Sequence, residues 1–120
     1  MIPPAGSPVV HLELRTGNVP DACFFYTRLF GWRAETIHVG SSTYVVLGRG
    51  NRIEVGVVED ATATSRWLPY VEVADIDAVV ERSRRLGASV PLEPKEGPAG
   101  WRSVVAGPAG AEIGLWKPKP

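Results

Sequence analysis

Residues 9–15 read VVHLELR, and a segment of similar pattern recurs later in the chain, so this stretch is the key to the fold. Val10, Leu12 and Leu14 alternate with polar residues, which predicts a strand with one apolar and one ionisable face. The ionisable face carries His11, Glu13 and Arg15. We therefore expect the apolar face to meet a core and the ionisable face to line a site.

The strand and the helix that follows it occur twice. Asn18 predicts the N-cap of a helix whose apolar stripe runs over residues 19–30 and ends at Gly31. The same order recurs in residues 68–73 (LPYVEV), which precede a second cap at Asp75 and a helix that ends at Gly87. Aligning the two caps sets His11 opposite Leu68, Glu13 opposite Tyr70 and Arg15 opposite Glu72. Only the first repeat then offers metal-type ligands at these positions.

Three further strands complete each repeat. They are predicted at 33–39, 42–47 and 53–58, and again at 89–92, 101–106 and 111–116, with a Pro- and Gly-rich loop at 93–100. The order βαβββ–βαβββ predicts an α+β fold whose curved sheets enclose a cleft. We expect a flexible lead-in at residues 1–8 and one domain at 9–118. Within it, module one spans 9–58, a polar linker 59–66 and module two 67–118.

Composition excludes several classes of protein. The 120 residues carry 13 basic and 13 acidic side chains, so the zero net charge favours neither nucleic acid nor an anionic membrane as a partner. No stretch approaches the ~18 apolar residues of a membrane span. Residues 1–8 lack the basic and hydrophobic regions of a signal peptide, which predicts a cytoplasmic location. The single cysteine, Cys23, lies in the helical stripe, where a structural thiol is expected.

Three segments carry a family resemblance: FFYTRLFGW (24–32), WLPYVEVADIDAVV (67–80) and GPAGAEIGLWKP (107–118). With the repeat order, they resemble the vicinal oxygen chelate superfamily over about residues 9–118. This superfamily includes glyoxalase I, bleomycin-resistance proteins and extradiol dioxygenases, and WLPYVEVADIDAVV looks most like its small bacterial glyoxalase-like proteins. The resemblance implies a homodimer, with Phe24 or Phe25 as candidate contacts.

The resemblance also implies where metal ligands would lie, because metal-binding members take them from the first and last strand of each module. These positions fall on His11, Leu68, Glu54 and Gly114, the last two by pairing Ile53-Glu54-Val55 with Ile113-Gly114-Leu115. His11 and Glu54 suit Zn, Ni, Mn or Fe, whereas leucine and glycine cannot ligate. We therefore expect no cofactor, with a divalent metal at His11 and Glu54 as the alternative.

Aromatic and polar residues are expected to line the rest of the cleft. With Leu68 and Gly114, the candidate ligand-binding residues are Glu13, Arg15, Tyr70, Glu72, Trp101 at the rim, and Trp116. An apolar floor with a few polar anchors suits a hydrophobic or aromatic small molecule. Arg15 could instead be neutralised by Glu13 or by Glu72.

Two functions follow from this site. The sequence favours a bleomycin-resistance-like protein that binds a small hydrophobic or aromatic molecule in the cleft without metal. The alternative is a lyase, isomerase, dioxygenase-type or natural-product tailoring enzyme. In that enzyme His11 and Glu54 act as catalytic acid and base, or hold a metal. The sequence alone leaves open whether the protein is an enzyme.

Overall fold

The computed structural model describes residues 6–61 and 64–120, which form two compact units. The first unit spans Val10–Pro69, and the second comprises Tyr70–Pro120 with the N-terminal segment up to Val9. Predictions for residues 1–5 of the lead-in and 62–63 of the linker lie outside the described residues. Pro8, at the other end of the lead-in, accepts a hydrogen bond at 3.0 Å from the backbone N–H of Glu72.

The first unit follows the order βαβββ. Its elements are β1 (Val9–Thr16), α1 (Val19–Phe30), β2 (Ala34–Val39), β3 (Ser42–Leu47) and β4 (Glu54–Glu59). The strands lie in the order β2-β3-β4-β1, in which only the β4–β1 pairing is parallel. The core of the unit consists of Leu14, Leu47, Val55 and Val57, against which residues of α1 pack.

The second unit repeats this order. Its elements are β5 (Arg66–Glu72, which begins before the unit boundary), α2 (Ile76–Arg85), β6 (Ser89–Glu96), β7 (Gly100–Ala106) and β8 (Glu112–Pro118). The strands lie in the order β5-β8-β7-β6, with β5 and β8 parallel. The core consists of Val73, Ile76, Val80, Val105 and Leu115. The predicted α+β class and the duplicated βαβββ order are confirmed.

Both helices begin at the predicted caps. The Asn18 Oδ1 atom accepts the backbone N–H of Asp21 at 3.0 Å, and the Asp75 Oδ1 atom accepts that of Ala78 at 3.0 Å. Each bond satisfies one N–H group that a helix N-terminus leaves without an intrahelical partner. Gly31 ends α1 with a φ of 70°, a conformation that glycine adopts without strain. Neither helix, both lying within the described ranges, is long and apolar enough to cross a membrane.

One predicted boundary is wrong. The expected loop at 93–100 is mostly strand, because β6 continues to Glu96 and β7 begins at Gly100. The Pro and Gly residues of 93–100, such as Pro94 and Pro98, predicted a loop, since proline cannot donate a ladder hydrogen bond. The pairing of β6 with β7 has register shifts around Leu92, and β6 ends the strand order of its unit. A terminal strand with such irregularities tolerates proline.

Candidate functional site

The two faces of β1 separate packing from chemistry, as the alternating sequence predicts. Leu12 and Leu14 pack on the side of α1 with the first core. Successive side chains of a strand point to opposite faces, so His11, Glu13 and Arg15 share the other face. We call this surface, with Glu54 and Gly56 of β4, the polar face of the first unit.

His11 is the central ionisable residue of the polar face. Its direct cross-strand partner is Glu54, and its imidazole lies over Gly56, where an added β-carbon would be 2.9 Å from Nε2. Burial lowers the pKa of His11 from its ordinary value of 6.5, and the negative charges of Glu13 and Glu54 oppose this shift only in part. The imidazole is therefore neutral at pH 7, with a ring nitrogen able to accept a proton.

Glu13 and Arg15 form an ion pair beside His11. The Nε atom of Arg15 donates to Oε1 of Glu13 at 2.6 Å, and Glu13 is only 6% exposed. The sequence suggested Glu13 or Glu72 as the partner of Arg15, and the structure shows the pair with Glu13. The pairing offsets the desolvation of a buried carboxylate and fixes the position of the guanidinium group.

The carboxylate of Glu54 is held by a neighbouring turn. Its Oε2 atom accepts the backbone N–H of Gly50 at 2.9 Å. Within the described ranges, no group of three or more His, Cys, Asp or Glu side chains is arranged to hold a metal ion. His11 and Glu54 thus place one nitrogen and one oxygen donor at paired positions of neighbouring strands, and the expectation of a site without metal stays a prediction.

In the second unit, the ring of Tyr70 lies over Gly114. The two residues are direct partners in the β5–β8 pairing, and a β-carbon at position 114 would overlap the tyrosine ring. Tyr70 and Leu68 are each 3% exposed. The next pair along is Glu72 and Trp116, both half-buried. Tyr70, Glu72, Gly114 and Trp116 thus share one face of the second unit, and ligand binding at that face stays a prediction.

The observed register corrects the alignment of the last strands. Glu13 pairs with Gly56, and Tyr70 pairs with Gly114. Because Glu13 and Tyr70 are equivalent positions, Gly114 corresponds to Gly56 and not to Glu54. The residue equivalent to Glu54 is Glu112, which sequence reasoning missed. The signal was present, since IEVGVV (53–58) and AEIGLW (111–116) match once shifted by two residues.

Trp101 does not lie on this face. It packs against the second core on the side of α2, and the ammonium groups of Lys117 and Lys119 lie 5.1 and 5.6 Å from the centre of its ring. In β7, Trp101 shares a face with Ser103 and Val105, which pair with the core side of β8. The expectation that Trp101 lines the site is therefore wrong.

A cavity of about 290 Å³ lies in the first unit near the start of α1. Its lining comprises Leu14, Thr16, Asn18, Asp21, Ala22, Phe25, Tyr26 and Ser65. None of the site residues predicted from the sequence is among them, and the polar face of β1 points the other way.

Comparison with known proteins places this geometry in a family. Two mycobacterial proteins, named "Putative glyoxylase CFP32" in Mycobacterium bovis and in Mycobacterium tuberculosis, are 29% identical over 114 residues. The match covers 88% of this chain but only 44% of the length of those relatives.

Solved structures share the fold at low sequence identity. Methylmalonyl-CoA epimerase from M. tuberculosis has a TM-score of 0.67 at 16% identity, covering 93% of this chain and 88% of the epimerase. The hypothetical protein BH1468 from Bacillus halodurans has a TM-score of 0.72 at 12% identity, covering 97% of each chain. A family model described as a glyoxalase-like domain matches residues 9–116. Because that match spans nearly the whole chain, the protein belongs to the glyoxalase-like domain family of the vicinal oxygen chelate superfamily.

Proposed function

We propose that this protein binds a planar, largely apolar small molecule at the polar face of the first unit, without a metal. The observation that carries the proposal is the neutral, half-buried imidazole of His11, seated on Gly56 beside the Glu13–Arg15 ion pair. A partly desolvated acceptor on the same strand face as a fixed guanidinium group can orient the polar groups of a ligand. The apolar or aromatic character of the rest of the ligand is carried over from the expectation that the sequence gives.

The metal-free form of the proposal rests on Glu54. Its carboxylate is hydrogen-bonded to Gly50, and in the described parts of the chain no third ligand joins it and His11. A divalent metal would need both the neutral His11 nitrogen and a carboxylate released from that turn. Such a metal would supply Lewis-acid chemistry to a bound carbonyl compound.

Intrinsic tryptophan fluorescence and calorimetry test the proposal, with 8-anilinonaphthalene-1-sulfonate, benzoate and catechol as probes. We expect saturable binding of at least one probe, weakened about tenfold in His11→Gln and in Arg15→Gln because the first variant loses the imidazole nitrogen and the second loses the guanidinium charge that would hold the polar edge of the ligand. His38→Gln is the matched control, since His38 is exposed and hydrogen-bonds its near neighbour in sequence, Thr43, at 3.3 Å. Equal affinities in all variants would contradict the proposal.

Metal titration distinguishes a metal-free site from one that binds a divalent metal. Chelator-treated protein should show no saturable binding of Zn, Ni, Mn or Fe(II) in the calorimeter. Binding of one metal per chain that disappears in His11→Gln would overturn the metal-free proposal.

A second candidate function is acid–base catalysis. It is favoured by the lowered pKa of His11, since a neutral imidazole can take a proton from a carbon acid while a nearby carboxylate stabilises the imidazolium that forms. Acetylacetone in D₂O is a suitable probe, with deuterium exchange followed by NMR. His11→Gln should abolish the exchange above background even at acetylacetone concentrations that saturate the variant. Exchange at the same rate in both proteins would exclude this role.

A further inference from the structure

The cavity near the start of α1 lies outside the site proposed above. Its volume of about 290 Å³ is close to the lower end of the ~300–1,000 Å³ range of ligand pockets. Leu14 and Thr16 of β1 belong to its lining, and successive side chains of a strand alternate, so the polar face of β1 points away from it. A molecule bound in this cavity would therefore not contact the polar face.

Thr16 carries a hydroxyl proton without an acceptor at the wall of this cavity. The residue is only 4% exposed. Its Oγ1 atom accepts a hydrogen bond from the hydroxyl group of Ser65 at 2.8 Å and another from the backbone N–H of Asn18 at 3.2 Å. Both lone pairs of the hydroxyl group are thus used, and within residues 6–61 and 64–120 no atom accepts its proton. If the bond between the two hydroxyl groups ran the other way, the spare proton would belong to Ser65, which lines the same cavity.

Asp21 gives the cavity a negative charge. Among the described lining residues it is the one that carries a full charge. Asn18 connects it to the hydroxyl groups, because the side-chain amide of Asn18 donates to Oδ2 of Asp21 at 2.9 Å while its backbone N–H donates to Thr16. Glu59 is the cross-strand partner of Thr16, so its side chain leaves the sheet on the same side. These carboxylates favour a cation over an anion in the cavity.

Aromatic rings form much of the apolar part of the cavity. Phe25 and Tyr26 both line it, with ring centres 4.9 Å apart and ring planes at 87°. Trp67 lies edge-on to Tyr26, with ring centres 5.2 Å apart. The ring of Phe25 is accessible, since the residue is 55% exposed. Such rings pack against other rings and attract cations to their faces.

We propose that this cavity binds a small aromatic amine that also carries a hydroxyl group. Its ammonium group pairs with the carboxylate of Asp21. Its ring packs against Phe25 and Tyr26, and its hydroxyl oxygen accepts the spare hydroxyl proton. An anion of the same size would be repelled by Asp21, and a hydrocarbon would leave the spare proton without an acceptor.

An NMR titration of the isotope-labelled full chain with 2-amino-1-phenylethanol tests the proposal. We expect saturable shifts of the backbone amides of residues 16–26 and Ser65, with a dissociation constant of about 1 mM or below. The anion 3-phenylpropionate, which has the same ring, should bind about tenfold more weakly. His11→Gln should bind the amine as the wild type does, because His11 lies on the opposite face of β1. The test is therefore independent of ligand binding at the polar face.

Asp21→Asn tests the charge. The variant keeps the size of the side chain but removes the partner of the ammonium group, so the dissociation constant should rise about tenfold. Asp77→Asn is the matched control. Asp77 is an exposed acidic residue in the first turn of α2 and does not line the cavity, so its replacement should leave the affinity unchanged.

Removal of both hydroxyl groups tests the hydrogen bond. Thr16→Val or Ser65→Ala alone leaves one hydroxyl proton at the cavity, whereas the double variant leaves none. The double variant should bind 2-amino-1-phenylethanol about fivefold more weakly. It should bind phenethylamine, which lacks the hydroxyl group, with the affinity of the wild type, and this result also shows that the cavity is intact. An equal loss of affinity for the two amines would contradict a hydrogen bond to the ligand hydroxyl group.

Three further outcomes would overturn the proposal. They are the absence of a saturable shift with the amine, an affinity that Asp21→Asn leaves unchanged, and binding of 3-phenylpropionate as tight as that of the amine. Shifts centred on residues 9–15 that disappear in His11→Gln would assign the amine to the polar face instead, and would also overturn the proposal.

Discussion

The two units use the same backbone feature beneath different rings. In each, an aromatic ring from the first strand lies over a glycine of the parallel last strand: His11 over Gly56, and Tyr70 over Gly114. Tyr70 is buried above its direct cross-strand partner, whereas His11 is half-buried above the partner of Glu13. The glycine of the last strand thus lies under a buried packing ring in the second unit and under an ionisable ring in the first.

The largest expected effect comes from filling the glycine position of the second unit. In Gly114→Ala, the added carbon overlaps the Tyr70 ring, which is buried and cannot move aside without disturbing its neighbours. We expect the free energy of unfolding to fall by about 3 kcal/mol, the upper range for overpacking. Urea denaturation measures this change.

Gly107→Ala is the control for the loss of glycine itself. A β-carbon there would meet none of the described atoms within 4 Å, and the residue has an ordinary φ of −87°. Its free energy of unfolding should change by about 0.5 kcal/mol or less. Equal losses in the two variants would mean that the Tyr70 ring does not require Gly114.

A smaller effect is expected at the matching position of the first unit. In Gly56→Ala, the added carbon would lie 2.9 Å from Nε2 of a half-buried side chain that can rotate away. We expect a loss of about 1–2 kcal/mol in the free energy of unfolding. The displaced imidazole should be better hydrated, so the pKa of His11 should rise towards its ordinary value. An NMR titration of the imidazole Cε1–H signal reports this shift, and an unchanged pKa would contradict the seating of His11 on Gly56.

Much of the fold could be predicted because it depends on local patterns. The alternation in VVHLELR gives the two faces of β1, and Asn18 and Asp75 mark both helix starts through their capping bonds. The pairing of Gly56 with Glu13 could not be predicted in this way. Alternation fixes which face a residue occupies but not its register against another strand.

Two of the wrong predictions, those for Gly114 and Trp101, depend on strand pairings that the sequence alone does not show. Gly114 was matched to Glu54 because the two repeats were aligned without knowledge of the parallel pairing, and Glu112 was therefore overlooked. Trp101 was misplaced because WRSVVA has apolar residues at successive positions and so does not reveal which face is buried. The pairing of β7 with β8 shows that Trp101 lies on the core side of the strand.

The two helix caps should also behave differently in the two units. Asn18→Ala and Asp75→Ala each remove one capping bond, with an expected cost of about 1 kcal/mol. Ile76 and Val80 bury α2 in its core, so its cap should contribute to the global free energy of unfolding. Helix α1, described throughout, has no fully buried residue. The loss of its cap in Asn18→Ala should therefore appear mainly as faster hydrogen exchange in the first turn of the helix. If Asn18→Ala and Asp75→Ala lowered the global free energy of unfolding equally, and hydrogen exchange in the first turn of α1 did not change, this expectation would be wrong.

The smallest expected effect is a pH dependence specific to the first unit. Burial lowers the pKa of His11 in the folded chain below its ordinary value of 6.5. Well above pH 6.5 the imidazole is neutral in both the folded and the unfolded chain, so His11 does not contribute to the pH dependence of stability in that range. As the pH falls below 6.5, the unfolded chain takes up a proton that the folded chain binds less readily, so the free energy of unfolding decreases. This loss levels off below the folded pKa. His11→Gln should flatten the decrease between pH 7.5 and 5, whereas His38→Gln should preserve it. Urea denaturation across this range measures the difference. If the His11→Gln protein lost as much stability as the wild type, the lowered pKa of His11 would not be the cause of the decrease.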